Sequence, residues 1–357
     1  MAKPDLPSPI SHLPILIAGP TATGKSDIAL QLAAQLGGEI ISADSMQVYR
    51  GLDIGTAKPS SADRARVPHH LIDILSLTGS FDAAQFARLA HRTVAEIQSR
   101  GRVPILCGGT GLYFRAFLEG LGEAPPADAI LRAELEALPL ETLLAELRER
   151  DPVTCEKIDQ KNPRRVIRAV EVIRLTGRPL STQQSRWNKI APASCSADIP
   201  VRGFTGHSCP VSAEADVVSP TPGLATGKSP EPADKNVCPT SMIVFTRSPA
   251  DLHGRINARV DSMFQRGLVD ETRELLKRGL AENKTAMQAI GYRQAVEHLR
   301  GERSLAETIE LVKIRTRQFA KRQLTWFRPQ KHAQWIELQP DVPSAAIAAG
   351  LLHHLQV

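Results

Sequence analysis

Cysteine is scarce in this 357-residue chain, and long apolar runs are missing. The five cysteines are Cys107, Cys155, Cys195, Cys209 and Cys238, an odd number with no Cys-x-x-Cys pair. No histidine pair sits near them at zinc-ligand spacing, so a disulfide framework and a structural zinc site are both disfavoured. No stretch approaches the roughly 18 apolar residues that a membrane-spanning helix needs. The first residues, Met1 to Pro14, are broken by prolines and do not read as a signal peptide. A cytoplasmic protein without a membrane segment is expected.

What is present is a hydrophobic fraction of 42%, enough for a sizeable core, at a length that suits two domains or one domain with a large insert. The net charge is +6 and the pI about 9.2, which favours a polyanionic partner only weakly. Ile15 to Ala18 is a short apolar run that reads as a buried strand. A Gly-rich turn follows, then a helical pattern with Ile28, Leu30, Leu32, Ala33 and Leu36 inward, ended by Gly37-Gly38. Ile40-Ile41 opens a second strand that finishes near Asp44. Phe86, Leu89, Ala90, Val94 and Ile97 have helical spacing, and Val103 to Cys107 reads as another strand. Alternating apolar strands and helices predict a parallel α/β sheet.

After Gly122 the pattern turns helical, with few strand signals. Residues 191–241 are rich in Pro, Ser, Ala, Thr and Gly and lack periodicity, so they are expected to be disordered. The expected division is 1–122 as the first part of the core, 123–190 as a helical insertion domain and 191–241 as the insert. The core is then completed over 242–330, with basic helices, and 331–357 is a C-terminal tail.

Gly19-Pro20-Thr21-Ala22-Thr23-Gly24-Lys25-Ser26 has the spacing G-x-x-x-x-G-K-[ST] and lies between a strand and a helix, the context that this motif requires. Its glycines let backbone amides turn inward on an anion, and the helix N-terminus adds partial positive charge. Lys25 can neutralise phosphate oxygens, and Ser26 can hold Mg²⁺. The loop alone does not say which phosphorylated molecule binds. The same letters recur from Ala225 to Ser229, but with no strand before them and Pro230 after; no role is assigned there.

Asp44 and Thr110 fall at the ends of neighbouring predicted strands, where ligands gather in open parallel sheets. Alone, Asp44 would read as a turn or cap residue; beside a phosphate loop the two polar groups read as one site. Adjacent His69 and His70 point in different directions and do not suggest a shared metal. Lys313, Arg315, Arg317, Lys321, Arg322 and Arg328 form a stretch without acidic residues that can track a phosphate backbone. Ile314, Phe319 and Leu324 are its expected packing points.

Together these motifs resemble the tRNA dimethylallyltransferase family. The strings are Gly19 to Ser26, Asp44 to Pro59, His69 to Asp73, Cys107 to Phe114, Asn162 to Ile173, Ala289 to Gln294 and Arg317 to Phe327, seven in order. The resemblance implies a P-loop NTPase-like α/β sheet flanked by helices, with a helical insertion domain. It implies transfer of a dimethylallyl group from dimethylallyl diphosphate to N6 of adenosine 37 in the tRNA anticodon loop, with Mg²⁺ and as a monomer. Gly19 to Ser26 would hold the diphosphate, with Thr23 and Lys25 aiding catalysis and Arg255 as a weaker contact. Asp44 would be the base on the adenine amine. tRNA contacts would fall at Asp44, Ser45, Met46, Gln47, Thr110 and Arg132, and at Arg164, Arg165, Val166, Ile167 and Arg168. Further contacts would fall at Gln288, Ala289, Ile290, Gly291, Tyr292 and Arg293, and at Lys321, Arg322, Gln323, Leu324, Thr325, Trp326, Phe327 and Arg328.

The pattern departs from the family at 191–241, which has no counterpart, and at Gln288, where an arginine is common. No Cys₂-His₂ finger follows, as in bacterial members. The rival readings are a P-loop small-molecule kinase, prenyl transfer to AMP, and a non-catalytic RNA-binding protein.

Overall fold

A computed structural model describes residues 13–121, 124–183, 242–330 and 333–355. The expected disorder of 191–241 and the repeated letters at 225–229 lie outside the described residues. The described residues form two compact units, one within 13–80, 93–111 and 242–355, the other within 81–92 and 112–183.

The first unit is built on six parallel strands: β1 (Ile15–Ala18), β2 (Glu39–Ala43), β3 (His69–His70), β4 (Pro104–Gly108), β5 (Met242–Thr246) and β6 (Ala333–Glu337). Their order across the sheet is β3-β2-β4-β1-β5-β6. In register, Ile17 of β1 lies between Cys107 of β4 and Ile243 of β5. The strands at the centre are uninterrupted apolar runs because helices cover both faces of a parallel sheet. The helix Lys25–Leu36 sends Ile28, Leu32 and Ala33 into that core and stops at Gly37, whose amide donates to the Ala33 carbonyl. Among the described residues no helix is long and apolar enough to cross a membrane.

Two expectations are corrected here. Residues 331–357 are not a tail: β6 pairs with β5, and the helix Ser344–Leu355 buries Ile347, Ala348 and Leu351 in the same cluster as Ile28 and Leu32. The helical unit also takes in more than 123–190. It begins at 112 and recruits 81–92, because Phe86 stacks on Tyr113 with ring centroids 4.1 Å apart.

That second unit packs four helices, Ala129–Glu136, Leu140–Arg150, Pro152–Lys157 and Pro163–Thr176, around Leu135, Leu143, Leu147, Val166, Val170 and Ile173. Asp128 and Asp151 cap two of them, each accepting from the backbone amide three residues on.

Truncating Leu351 to Ala is expected to cost about 2–5 kcal/mol of unfolding free energy, as for other large-to-small core changes. Urea denaturation measures it, and a loss near zero would contradict the placement of this helix in the core.

Candidate active site

The carboxyl ends of β1, β2 and β4 converge on one place. The turn after β1 runs from Gly19 to Gly24, with Ala22 in the left-handed region at φ 68°. Such a turn leaves its carbonyls facing outward, and each needs a partner. Arg255 Nε donates to the Ala22 carbonyl at 2.9 Å, and Arg247 Nε to the Thr23 carbonyl at 2.8 Å. Inside the turn, the buried Thr23 hydroxyl and Lys25 Nζ both donate to the Pro20 carbonyl, at 2.9 and 3.1 Å. Burial pulls the Lys25 pKa down; Cys107 and Asp44 act against that shift, and Arg259 adds to it.

Gln323 ties the turn to β4. Its Oε1 accepts from the Thr21 amide and its Nε2 donates to the Gly109 carbonyl, both at 2.9 Å. This needs the helix Leu305–Phe327 to lie against the Gly-Gly-Thr-Gly string. A Cβ on Gly109 would sit 2.3 Å from Gln323 Nε2, and one on Gly111 would sit 2.1 Å from the Trp326 ring. Those glycines are therefore required by close approach, not by turn geometry.

After β2, Asp44 Oδ1 accepts from the amides of Met46 at 2.8 Å and Gln47 at 3.3 Å. The Thr110 hydroxyl accepts from the Ser45 amide at 3.2 Å, and the Thr110 amide donates to the Ala43 carbonyl. Gln47 then donates to the Thr56 carbonyl at 3.2 Å. Asp44, Thr110, Thr21 and Thr56 line a cavity of about 320 Å³ whose other walls include Ile290, Phe319 and Arg322.

Arg259 also lines this cavity, a residue that the sequence motifs do not mark. Burial lowers its pKa, opposed chiefly by the charge of Asp44. A signal for it exists: Arg255 and Arg259 stand one helical turn apart on Pro249–Gln265.

The loop after Asp44 is braced from below. Tyr292 is fully buried, accepts from the Gly55 amide at 3.0 Å and donates to Glu271 Oε1 at 2.5 Å. Glu271 also accepts from the amides of Asp53 and Ile54. Burial raises the pKa of both side chains. A Cβ on Gly55 would lie 2.4 Å from the Tyr292 ring, so Gly55 is fixed by this contact.

The strings expected to touch RNA divide. Arg164, Arg165, Gln288, Arg293, Lys321, Arg322, Thr325 and Arg328 are exposed. Val166, Ile167, Ala289, Gly291, Tyr292, Gln323 and Phe327 are buried. They hold the elements that present their neighbours. In the basic helix, Lys313 pairs with Asp261 and Glu310 and Arg317 donates to Asn257, so neither belongs to an open stripe, and Ile314 is exposed rather than packed. In the helical unit, Arg132 and Arg168 both donate to the buried Glu171, at 2.6 and 2.7 Å. Burial drives that carboxyl up, but these bonds and the Asp128 amide bring it below the usual range.

His69 donates to the Val67 carbonyl and His70 meets Glu39 at 2.6 Å, so they cap and pack. Among the described residues no group of three metal-ligating side chains occurs. Cys107 is buried, and its thiol is pushed up to about 11 by burial. Ser26 lies exposed on the first turn of Lys25–Leu36, beside the phosphate turn. A single hydroxyl cannot satisfy Mg²⁺, so these residues suit an ion whose other ligands come from a phosphorylated substrate and water.

The sequence model of the IPP transferase family matches residues 47–202 and 222–330. The chain is 43% identical over 326 residues to tRNA dimethylallyltransferase 1 of Trichlorobacter lovleyi, covering 90% of this chain and 92% of that one. It is 41% identical over 351 residues to tRNA dimethylallyltransferase of Stenotrophomonas maltophilia, covering 95% and 96%. The crystal structure of the tRNA isopentenylpyrophosphate transferase from Bacillus halodurans superposes with a TM-score of 0.60 at 36% identity, covering 97% of each chain. A eukaryotic dimethylallyltransferase solved acting on tRNA shares the fold, with a TM-score of 0.65 at 24% identity over 91% of this chain and 73% of that one.

Replacing Tyr292 with Phe removes one hydroxyl and leaves the Gly55 amide and Glu271 each short of a partner. A loss of about 1–3 kcal/mol in stability is expected. Chemical denaturation measures it, and an unchanged midpoint would show that the brace contributes nothing.

Proposed function

The chain belongs to the IPP transferase family, and from that membership we infer that it transfers a dimethylallyl group from dimethylallyl diphosphate to N6 of adenosine 37 in tRNA. The observation that carries this reading is the single cavity in which Asp44 and Thr110 stand with Thr21 of the phosphate turn. A nucleophile-activating carboxylate and a diphosphate cradle need that adjacency. A small-molecule kinase or an AMP prenyltransferase would use the same turn, but the relatives are named for tRNA.

The adenine amine is a weak nucleophile because its lone pair is delocalised into the ring. Asp44 accepts its proton as nitrogen attacks the allylic carbon. Its Oδ1 is held by two amides, so the carboxylate is oriented before substrate arrives. On the other side the carbon–oxygen bond breaks and negative charge collects on the leaving diphosphate. The amides of Ala22 to Ser26, the Lys25 ammonium and the Thr23 hydroxyl are the donors for that charge, with Arg259 facing the cavity. Lys25 and Thr23 bond to the Pro20 carbonyl, a partner they exchange for phosphate oxygen when diphosphate binds. Arg255 acts on the turn's carbonyl side, as a support for its shape.

Mg²⁺ bound at Ser26 would neutralise part of the diphosphate charge. The base must leave the stacked anticodon loop, a cost of a few kcal/mol offset by contacts to flanking nucleotides. Arg164, Arg165, Arg293, Lys321, Arg322 and Arg328 are the exposed cations proposed for that grip. A cytoplasmic monomer suits this role.

Asp44→Asn is expected to lower kcat roughly 10²–10⁴-fold, the range for losing a general base, with tRNA binding retained. Normal turnover would remove its role. Lys25→Ala is expected to weaken dimethylallyl diphosphate binding, read by calorimetry, and unchanged affinity would count against the diphosphate assignment.

A further inference from the structure

A second cavity, of about 350 Å³, shares Gln288, Ile290 and Arg322 with the one holding Asp44. Its other walls bring Arg293, Arg303 and Arg315 together, and Glu297 is the one carboxylate among its lining residues. Four guanidiniums against one carboxylate leave an uncompensated positive charge. A structural cluster would carry enough acid to balance it, since like charges gathered at one cavity repel.

The cluster is also organised. Glu297 Oε1 accepts from Arg293 Nε at 3.2 Å, and Oε2 accepts from Arg303 Nη1. The turn carrying Arg303 is fixed by the His298 ring, which donates to the Arg303 carbonyl at 2.9 Å. The helix Tyr292–Leu299 supplies Arg293 and Glu297, and Leu305–Phe327 supplies Arg315 and Arg322. Arg322 lies over the Phe319 ring, 5.7 Å from its centroid, on the wall common to both cavities.

Resting on the reading of the first cavity as the site of the reacting adenine, we infer that this second cavity seats the backbone phosphate flanking that nucleotide, with Arg303 and Arg315 as ligands and Arg322 bridging the two sites. Guanidinium forks match phosphate oxygens, and a phosphate contact positions a nucleotide without reading its base. The shared wall is what a chain crossing from one cavity to the next requires. A base turned out of its stack swings on its two flanking phosphates, so fixing one of them holds the amine at Asp44.

The test uses the full chain, an anticodon stem-loop prenylated by the wild type, and dimethylallyl diphosphate. Production of prenylated RNA by the wild type tests the underlying reading separately. Arg315→Ala and Arg303→Ala should each raise the KM for RNA about tenfold, with the KM for dimethylallyl diphosphate unchanged. The slope of log affinity against log salt should fall by about one. Arg315 is exposed, so its variant serves if Arg303→Ala fails to fold through loss of the Glu297 pair. An uncharged methylphosphonate at one flanking position should weaken wild-type binding to a similar extent and add little to Arg315→Ala, because both remove one contact. Full additivity at both flanking positions, or variants with wild-type RNA affinity and salt slope, would overturn the assignment. So would a variant whose only defect is loss of competition by inorganic phosphate or pyrophosphate, since that would make the cavity a small-anion site.

Discussion

The carbonyls of Ala22 and Thr23 are each held by an arginine from the segment after β5, and the chemistry at the site depends on that bracing. A turn that points its amides inward at an anion must point carbonyls elsewhere. Unless those carbonyls are satisfied, the turn relaxes and its amide dipoles lose their common focus. Hydrogen bonds from charged donors contribute about 1.5–3 kcal/mol each, enough to hold such a shape without ligand. Gln323 adds a third brace from a helix far along the chain, joining the Thr21 amide to the Gly109 carbonyl. The backbone of the turn is therefore braced, while the Lys25 and Thr23 side chains bond to the Pro20 carbonyl within it.

The acceptor side is built by a parallel logic. Asp44 is oriented by amides of its own turn, and that turn is held by Thr110 on one side and Gln47 on the other. Gln47 reaches the loop at Thr56, which Tyr292 and Glu271 brace through the amides of Gly55 and Ile54. A chain of contacts to the backbone thus runs from a buried tyrosine to the Asp44 carboxylate. Tyr292 is tied to the site through this chain, and it lies in one of the strings that mark the family.

Much of this was legible in the sequence. Short apolar runs located β1, β2 and β4, and the motif spacing placed the phosphate turn, since both depend on local order. Asp44 and Thr110 were found because polar residues at strand ends in a parallel sheet share one edge. What escaped depended on distant packing. Ser344–Leu355 joins the core by packing in one cluster with the helix after the phosphate turn, a pairing between segments far apart in the chain. The glycines at 109 and 111 admit Gln323 and Trp326, contacts that no local spacing announces. Burial inside the family strings was hidden for the same reason: Val166 and Arg165 are neighbours in sequence, yet one faces a core and the other solvent. Arg259 is a different case, because its spacing from Arg255 puts both on one helix face, but only the sheet's position shows that this face meets the phosphate turn.

The braced turn is proposed to grip the diphosphate that leaves as carbon passes to tRNA. The most direct measurement follows diphosphate release and prenylated adenosine together, by enzymatic assay and by mass spectrometry of digested tRNA, with dimethylallyl diphosphate or ATP as the phosphorylated substrate. One diphosphate per modified adenosine from dimethylallyl diphosphate, and no product from ATP, is the predicted result. Productive cleavage of ATP with the tRNA left unmodified would contradict it.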